Sequence, residues 1–189
     1  MLIPRPETES LCEWALEVIP EQASPRILDL CCGSGCIGLT LKAERPEASV
    51  TLSDLSADAL NVAAQNADRL SLDVSFQQSD LLNAFSHDTF DLIVSNPPYI
   101  PSADCPNLQP EVLHEPLSAL DGGADGCDFY RRIIQTAGNV LSSGGLLMLE
   151  LGYGEADCVA SLLQTYGFRQ IRIRSDLNGI DRMALAACP

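Results

Sequence analysis

The chain has 189 residues, 46% of them apolar, which suits one domain (1–189) with a sizeable core and argues against disorder. Its 26 acidic against 11 basic residues give a formal net charge of −15, a balance that repels a nucleic acid backbone and argues against direct DNA binding. Nothing resembles a membrane span, and Met1-Leu2-Ile3 runs at once into Pro4-Arg5-Pro6-Glu7 without a basic n-region or long apolar core, so a cytoplasmic location is expected.

Leu11, Trp14, Ala15 and Val18 recur at i, i+3, i+4 and i+7, which predicts an amphipathic helix from about 6 to 19 with Pro6 near its first position. Arg26 to Leu30 reads as the first strand, and Ile37 to Arg45 as a short helix stopped before Pro46. Val50 to Asp54 is the second strand, and Asp58 to Leu70 a crossover helix through Ala59, Leu60, Ala63, Ala64, Ala67 and Leu70. Val74 to Gln77 forms a third strand and Phe90 to Ser95 a fourth. From Pro101 to Asp125 no period emerges, and the wealth of Pro, Gly, Asp and Asn predicts a long loop, a kind of segment that is usually functional or mobile. A helix from Asp128 to Leu141, a Gly144-Gly145 turn and a fifth strand over Leu146 to Leu149, ending at Glu150-Leu151, should follow. Val159, Leu162, Leu163 and Tyr166 mark the last helix. Phe168 to Arg174 and Met183 to Ala187 flank a polar turn at Asn178-Gly179, which predicts an antiparallel hairpin at one sheet edge. Strand and helix periods alternating at βαβ spacing argue for an α/β fold with a mostly parallel sheet and helices on both faces.

Two stretches carry the chemistry. Asn96-Pro97-Pro98-Tyr99 follows the fourth strand, so it stands on the C-terminal edge where open α/β sheets keep their sites. Two successive prolines remove two backbone donors and fix two φ angles, leaving carbonyls and the Asn96 carboxamide as a rigid array suited to an amide or amine donor. Asp29-Leu30-Cys31-Cys32-Gly33-Ser34-Gly35-Cys36-Ile37-Gly38 lies between the first strand and its helix, where glycines let backbone amides approach a ligand. Read strictly, Gly33, Gly35 and Gly38 form a dinucleotide GxGxxG with Asp54 at nearly the ribose-binding distance, so a nicotinamide or flavin enzyme competes. Asp29, Asp80 and the Asn-Pro-Pro-Tyr edge find no use in that reading. Each acid alone could be only a helix cap, as Asp54 could be for the helix that follows it.

The eight cysteines stand singly apart from Cys31-Cys32, set among Leu, Ile and Ala, which suits small core residues in a reducing compartment rather than disulfides. No CxxC occurs, and His87 and His114 alone supply imidazole, so no metal is expected.

The Asn-Pro-Pro-Tyr tetrapeptide resembles the signature of methyltransferases that modify planar nitrogens with S-adenosylmethionine. Adding Ile3-Pro4-Arg5-Pro6-Glu7-Thr8-Glu9, the glycine loop, Glu115-Pro116 through Ala119-Leu120, Gly122 to Gly126, Tyr130-Arg131, Leu149-Glu150-Leu151-Gly152 and Asp181-Arg182, the chain resembles the N5-glutamine methyltransferases of peptide chain release factors. A sibling family that methylates a large-subunit ribosomal protein shares most of these marks. Cys31, where glycine is more usual, is a departure that weakens the choice of substrate between the two. The resemblance implies a Rossmann-like seven-stranded fold, an N-terminal helical domain missing here, and S-adenosylmethionine as cofactor, with S-adenosylhomocysteine as product. It also implies cofactor contacts by Asp29, Cys31, Gly33, Gly35, Asp54, Leu55, Asp80, Leu81 and Asn96, with Asp54 at the ribose and Asp80 at the adenine amino group. Catalysis would rest on Asn96, Pro97 and Tyr99, and the substrate would meet Asn96, Pro97, Pro98, Tyr99, Arg5, Glu7 and Glu115. The expected partner is a release factor, with the ribosomal protein as alternative. An N6-adenine nucleic acid enzyme and a non-enzymatic cofactor-binding module docking through Pro101 to Asp125 are the remaining alternatives.

Overall fold

Seven strands, β1 (Arg26–Leu30), β2 (Ser49–Asp54), β3 (Ser75–Gln78), β4 (Phe90–Ser95), β5 (Leu141–Glu150), β6 (Arg169–Ser175) and β7 (Asp181–Ala187), form one sheet in the order β3-β2-β1-β4-β5-β7-β6. They come from a computed structural model that describes residues 6–19, 24–110 and 112–189. The strands from β3 to β5 pair in parallel, whereas β7 runs antiparallel to both β5 and β6. The hairpin expected at an edge is therefore present, with β6 outermost. An antiparallel β7 beside β5 also separates this sheet from the dinucleotide order 3-2-1-4-5-6. Strand order reverses between β1 and β4, which opens a crevice at their C-terminal ends.

Helices α1 (Pro6–Val18), α2 (Cys36–Glu44), α3 (Ala57–Leu70), α4 (Asp128–Ala137) and α5 (Ala156–Thr165) cover the sheet. Alternate residues of the central strands serve opposite faces. Ile27, Leu92, Val94 and Met148 pack with Leu11 and Trp14 of α1 and with α2 and α3. Leu28, Ile93, Leu147 and Leu149 pack with Tyr130, Ile133 and Ile134 of α4 and with Val159 and Leu163 of α5. Burial on both faces explains why these strands read as nearly continuous apolar runs. No helix among the described residues is long and apolar enough to cross a membrane.

The structure corrects the sequence reading in three places. Helix α4 stops at Ala137, not Leu141, because the chain turns through Gly138 to Val140 and Leu141 already pairs with Phe90. Gly144-Gly145 is not a turn ahead of β5 but lies within it, where the register with β4 jumps from Phe90↔Leu141 to Leu92↔Leu146. Leu70 and Tyr166, expected on buried stripes, are 60% and 42% exposed because they stand at the last residue of α3 and the C-cap of α5. The segment from Pro101 to Asp125 is a shaped loop with 3-10 turns at Cys105–Asn107, Val112–His114 and Leu117–Ala119, each too short to show a period. Buried Leu120 anchors it, and Ile100 N–H donates to Leu120 O at 2.9 Å while Gly122 N–H donates to Ile100 O at 2.8 Å.

Candidate active site

The glycine loop leaves β1 through a set of backbone twists. Cys31, Gly33 and Gly35 have φ of 60°, 54° and 78°, all in the left-handed region. At Gly35 the need is also steric, since a Cβ there would lie 2.5 Å from Leu52 Cδ2. Cys31 takes the same twist with a side chain; for an L-residue the strain is about 1–2 kcal/mol.

Carboxylates hold this loop from two sides. Asp29, fully buried, accepts the Gly38 N–H through Oδ2 at 2.8 Å and so ties α2 to β1. Burial pushes its carboxyl up to about 7, against the pull of the Gly38 N–H and with a further push from Asp54. Its other oxygen has no partner among the described residues. Asp54, at the end of β2, accepts Gly33 N–H through Oδ2 and Ser56 N–H through Oδ1, both at 2.9 Å. Asp54 does not cap α3. Ser56 does, its Oγ accepting Ala59 N–H at 3.2 Å. Asp80, following β3, accepts from Arg132 Nη2 of α4 at 2.7 Å, a half-exposed pair.

A cavity of about 350 Å³ joins the loop to the Asn-Pro-Pro-Tyr edge, with Gly33, Asp54, Leu55, Asp80, Asn96 and Pro98 among its walls. At that edge, Ser95 Oγ donates to Leu30 O at 2.6 Å and locks the ends of β4 and β1 together. Asn96 Nδ2 donates to Thr8 Oγ1 at 3.4 Å, Thr8 Oγ1 donates to Glu150 Oε2 at 2.7 Å, and Tyr99 OH donates to Glu150 Oε1 at 3.4 Å. Thr8 and Glu150 are buried. Asn96 Oδ1 is shielded from solvent and has no partner among the described residues. An unpaired shielded acceptor typically costs about 1–3 kcal/mol, so it calls for a donor.

The Tyr99 backbone is seated on glycines. A Cβ on Gly122 would fall 2.6 Å from Tyr99 Cα, and one on Gly126 2.5 Å from Tyr99 O. Below them Glu155 Oε2 accepts Gly152 N–H at 2.9 Å, and burial pushes the Glu155 carboxyl up to about 7.

Residues 12–123 match the methyltransferase small domain family. A release factor glutamine methyltransferase of Geobacter sulfurreducens is 45% identical over 97% of this chain and 64% of its own length. Another, from Thermodesulfovibrio yellowstonii, is 41% identical over 98% of this chain and 68% of its own length. The chain belongs to the release factor glutamine methyltransferase family. It spans 64% of the first of these relatives and 68% of the second. Among solved structures, a 16S rRNA methyltransferase of T. thermophilus, in complex with AdoMet and guanosine, superposes with a TM-score of 0.68. At 17% identity over 99% of this chain and 44% of that one, the likeness is one of fold.

In this member of the release factor glutamine methyltransferase family, Cys31, Gly33, Asp54, Leu55, Asp80, Leu81, Asn96 and Pro98 all border the one cavity. Gly35 and Asp29 lie outside its wall and shape the loop from behind. Pro97 and Tyr99 line a small adjoining crevice with Asn96 and Pro98. Glu7, in the first turn of α1, and Glu115, in the long loop, border neither space. Arg5 lies outside the described residues. Among these residues no group of three or more His, Cys, Asp or Glu is arranged to hold a metal ion. All eight cysteines are free thiols, five of them buried. Sequence reasoning assigned no role to Thr8, Glu150 or Arg132. The available signal for Glu150 was an acid closing the apolar run Leu146-Leu147-Met148-Leu149.

Proposed function

We propose that this chain transfers a methyl group from S-adenosylmethionine to the side-chain amide nitrogen of a glutamine, the one in the Gly-Gly-Gln loop of peptide chain release factors. The observation that carries the reading is Asn96 Oδ1, a shielded carboxamide oxygen without a partner among the described residues, on a residue that borders both the cavity and the crevice beside it. A free amide oxygen complements a substrate N–H, and the names of the relatives supply the substrate that offers one.

The residues fit the cofactor. A volume of about 350 Å³ falls within the range of small-molecule sites, and walls such as Leu55, Leu81 and Phe129 suit an apolar ring. Asp54 keeps lone pairs for ribose hydroxyls beyond its two backbone bonds, and Asp80 offers an acceptor for an adenine amino group. When bound, S-adenosylmethionine supplies a methyl on a positively charged sulfur that is already a good leaving group. The protein's task is to aim a poor nucleophile, because the amide lone pair is delocalised into its carbonyl. Asn96 Oδ1 and the Pro97 carbonyl accept the two amide hydrogens, orient the nitrogen and stabilise positive charge developing on it, and one of those two protons is released to solvent once the nitrogen carries the methyl. Pro97 and Pro98 keep that array rigid, and Tyr99 walls it. A net charge of −15 suits a protein substrate better than a nucleic acid.

The test is to incubate the chain with methyl-labelled S-adenosylmethionine and, separately, release factor, the candidate ribosomal protein and DNA, then locate the label by mass spectrometry. Label on the Gly-Gly-Gln glutamine is expected. Label on the ribosomal protein or on DNA alone overturns the assignment. Asn96→Ala should lower kcat by at least roughly a hundredfold while leaving cofactor affinity nearly intact. Asp54→Ala should weaken cofactor binding at least about tenfold by calorimetry.

A further inference from the structure

We propose that Glu150 is a positioning residue that, acting through Thr8, decides which end of the Asn96 carboxamide is left for the substrate; this rests on Asn96 being the group that meets the substrate amide.

Two hydroxyls donate to the Glu150 carboxyl. Glu150 presents Oε2 to Thr8 Oγ1 at 2.7 Å and Oε1 to Tyr99 OH at 3.4 Å, so both hydroxyls turn their protons toward it. Thr8 has a single hydroxyl proton. With that proton directed at Glu150, its oxygen faces Asn96 as an acceptor, and the group it meets at 3.4 Å is Nδ2. The opposite end, Oδ1, is thereby the one left unpaired among the described residues.

Packing alone cannot make this choice, because the oxygen and nitrogen ends of a carboxamide are nearly the same size. In the reversed orientation two oxygens would face each other at Thr8 with no proton between them, and an NH2 group would confront the NH2 of the substrate. The choice is therefore electrostatic, and burial protects it. Thr8 is 3% and Glu150 1% exposed, so water does not compete for the bonds. Three separate elements meet here, the first turn of α1, the end of β5 and the residue after β4. Tyr130 OH adds a brace by donating to the Glu150 backbone O at 3.0 Å.

Glu150→Gln is nearly isosteric and tests polarity rather than packing. A phenol is the better donor and poorer acceptor of the two hydroxyls, so Tyr99 OH takes the oxygen of the new amide, whose NH2 then donates to Thr8, turns the Thr8 proton toward Asn96 and inverts the carboxamide. Expected is a kcat on a Gly-Gly-Gln peptide at least roughly tenfold lower, with S-adenosylmethionine affinity by calorimetry within about twofold of the parent. Thr8→Ser should keep kcat within about threefold, whereas Thr8→Val should lose at least about tenfold. A second readout needs no substrate: nuclear Overhauser contacts from the Asn96 side-chain NH2 to Thr8 Hβ should be present in the parent and lost in Glu150→Gln. Parent-like kcat in Glu150→Gln, or contacts that persist in it, overturns the positioning role. A parent chain that methylates no glutamine yet shows the contact switch removes the functional reading and leaves Glu150 as the residue that orients Asn96.

Discussion

Cys31 shares its backbone twist with Gly33 and Gly35 but carries a side chain through it. Cys31→Gly should therefore raise stability by about 0.5–1 kcal/mol, the relief of left-handed strain exceeding the extra freedom of glycine in the unfolded chain. Cys31→Val, β-branched in the same twist, should lower it by more than about 1 kcal/mol. The urea midpoints of the two variants, moving apart in opposite directions, check both. Asp29 makes a second residue-level prediction through its protonation. Its ordinary value of 3.8 is raised to about 7 by burial, so between those values the folded chain holds a proton the unfolded chain has lost. The stability this group contributes is full below pH 3.8 and is lost as pH rises through about 7. Asp29→Asn keeps an acceptor for Gly38 N–H but has nothing to ionise. Its advantage over the parent should grow from near zero at pH 4 to on the order of 4 kcal/mol at pH 8. An advantage that is the same at pH 5 and pH 8 in urea titrations would show that Asp29 is not destabilised by ionising in place.

At the scale of elements, the long loop matters because it shapes the backbone beneath Tyr99. Gly122 N–H is bonded to Ile100 O at 2.8 Å and a Cβ at Gly122 would fall 2.6 Å from Tyr99 Cα, so loop and edge are fitted together through their main chains. Gly122→Ala should push Tyr99 and its neighbours aside and lower kcat by roughly ten- to a hundredfold, since a displacement near 1 Å is enough for that. Cofactor affinity should change little, because Gly122 does not border the cavity. Stopped-turnover assays with parallel calorimetry separate the two, and a variant losing cofactor binding instead would place this loop on the cofactor side. By contrast the Arg132–Asp80 pair between α4 and the turn after β3 is half exposed and contributes no more than about 1 kcal/mol to stability. Its interest lies in setting where Asp80 points.

For the whole molecule, charge and buried carboxyls act in one direction. Glu155 is raised to about 7 by burial, as Asp29 is, so both lose their stabilising protons over the same pH interval. The net charge of −15 adds self-repulsion at neutral pH. Thermal stability should therefore fall from pH 5.5 to pH 8, values chosen to bracket that interval, and salt should recover part of the loss at pH 8, where the Debye length shrinks to about 10 Å at 0.1 M. A melting temperature that rises over this interval contradicts that balance.

The sequence by itself determined the sheet elements, because strands buried on both faces and helices buried on one write their periods into the chain, and β1 was legible to the residue. It also determined that the glycine loop and Asn96-Pro97-Pro98-Tyr99 would share one edge, since both follow strands of a parallel sheet. The Gly144-Gly145 register jump and the turns between Pro101 and Asp125 had no period to read. Only the tertiary structure decided that Asp29 works from behind the loop, that Asp80 faces Arg132, and that Asn96 is reached through Thr8 and Glu150. Those partners lie 88 and 142 residues apart along the chain, and hydrogen bonds at such separations leave no local pattern. The orientation of one carboxamide thus depends on an acid whose place at the end of an apolar strand gives no sign of its partners.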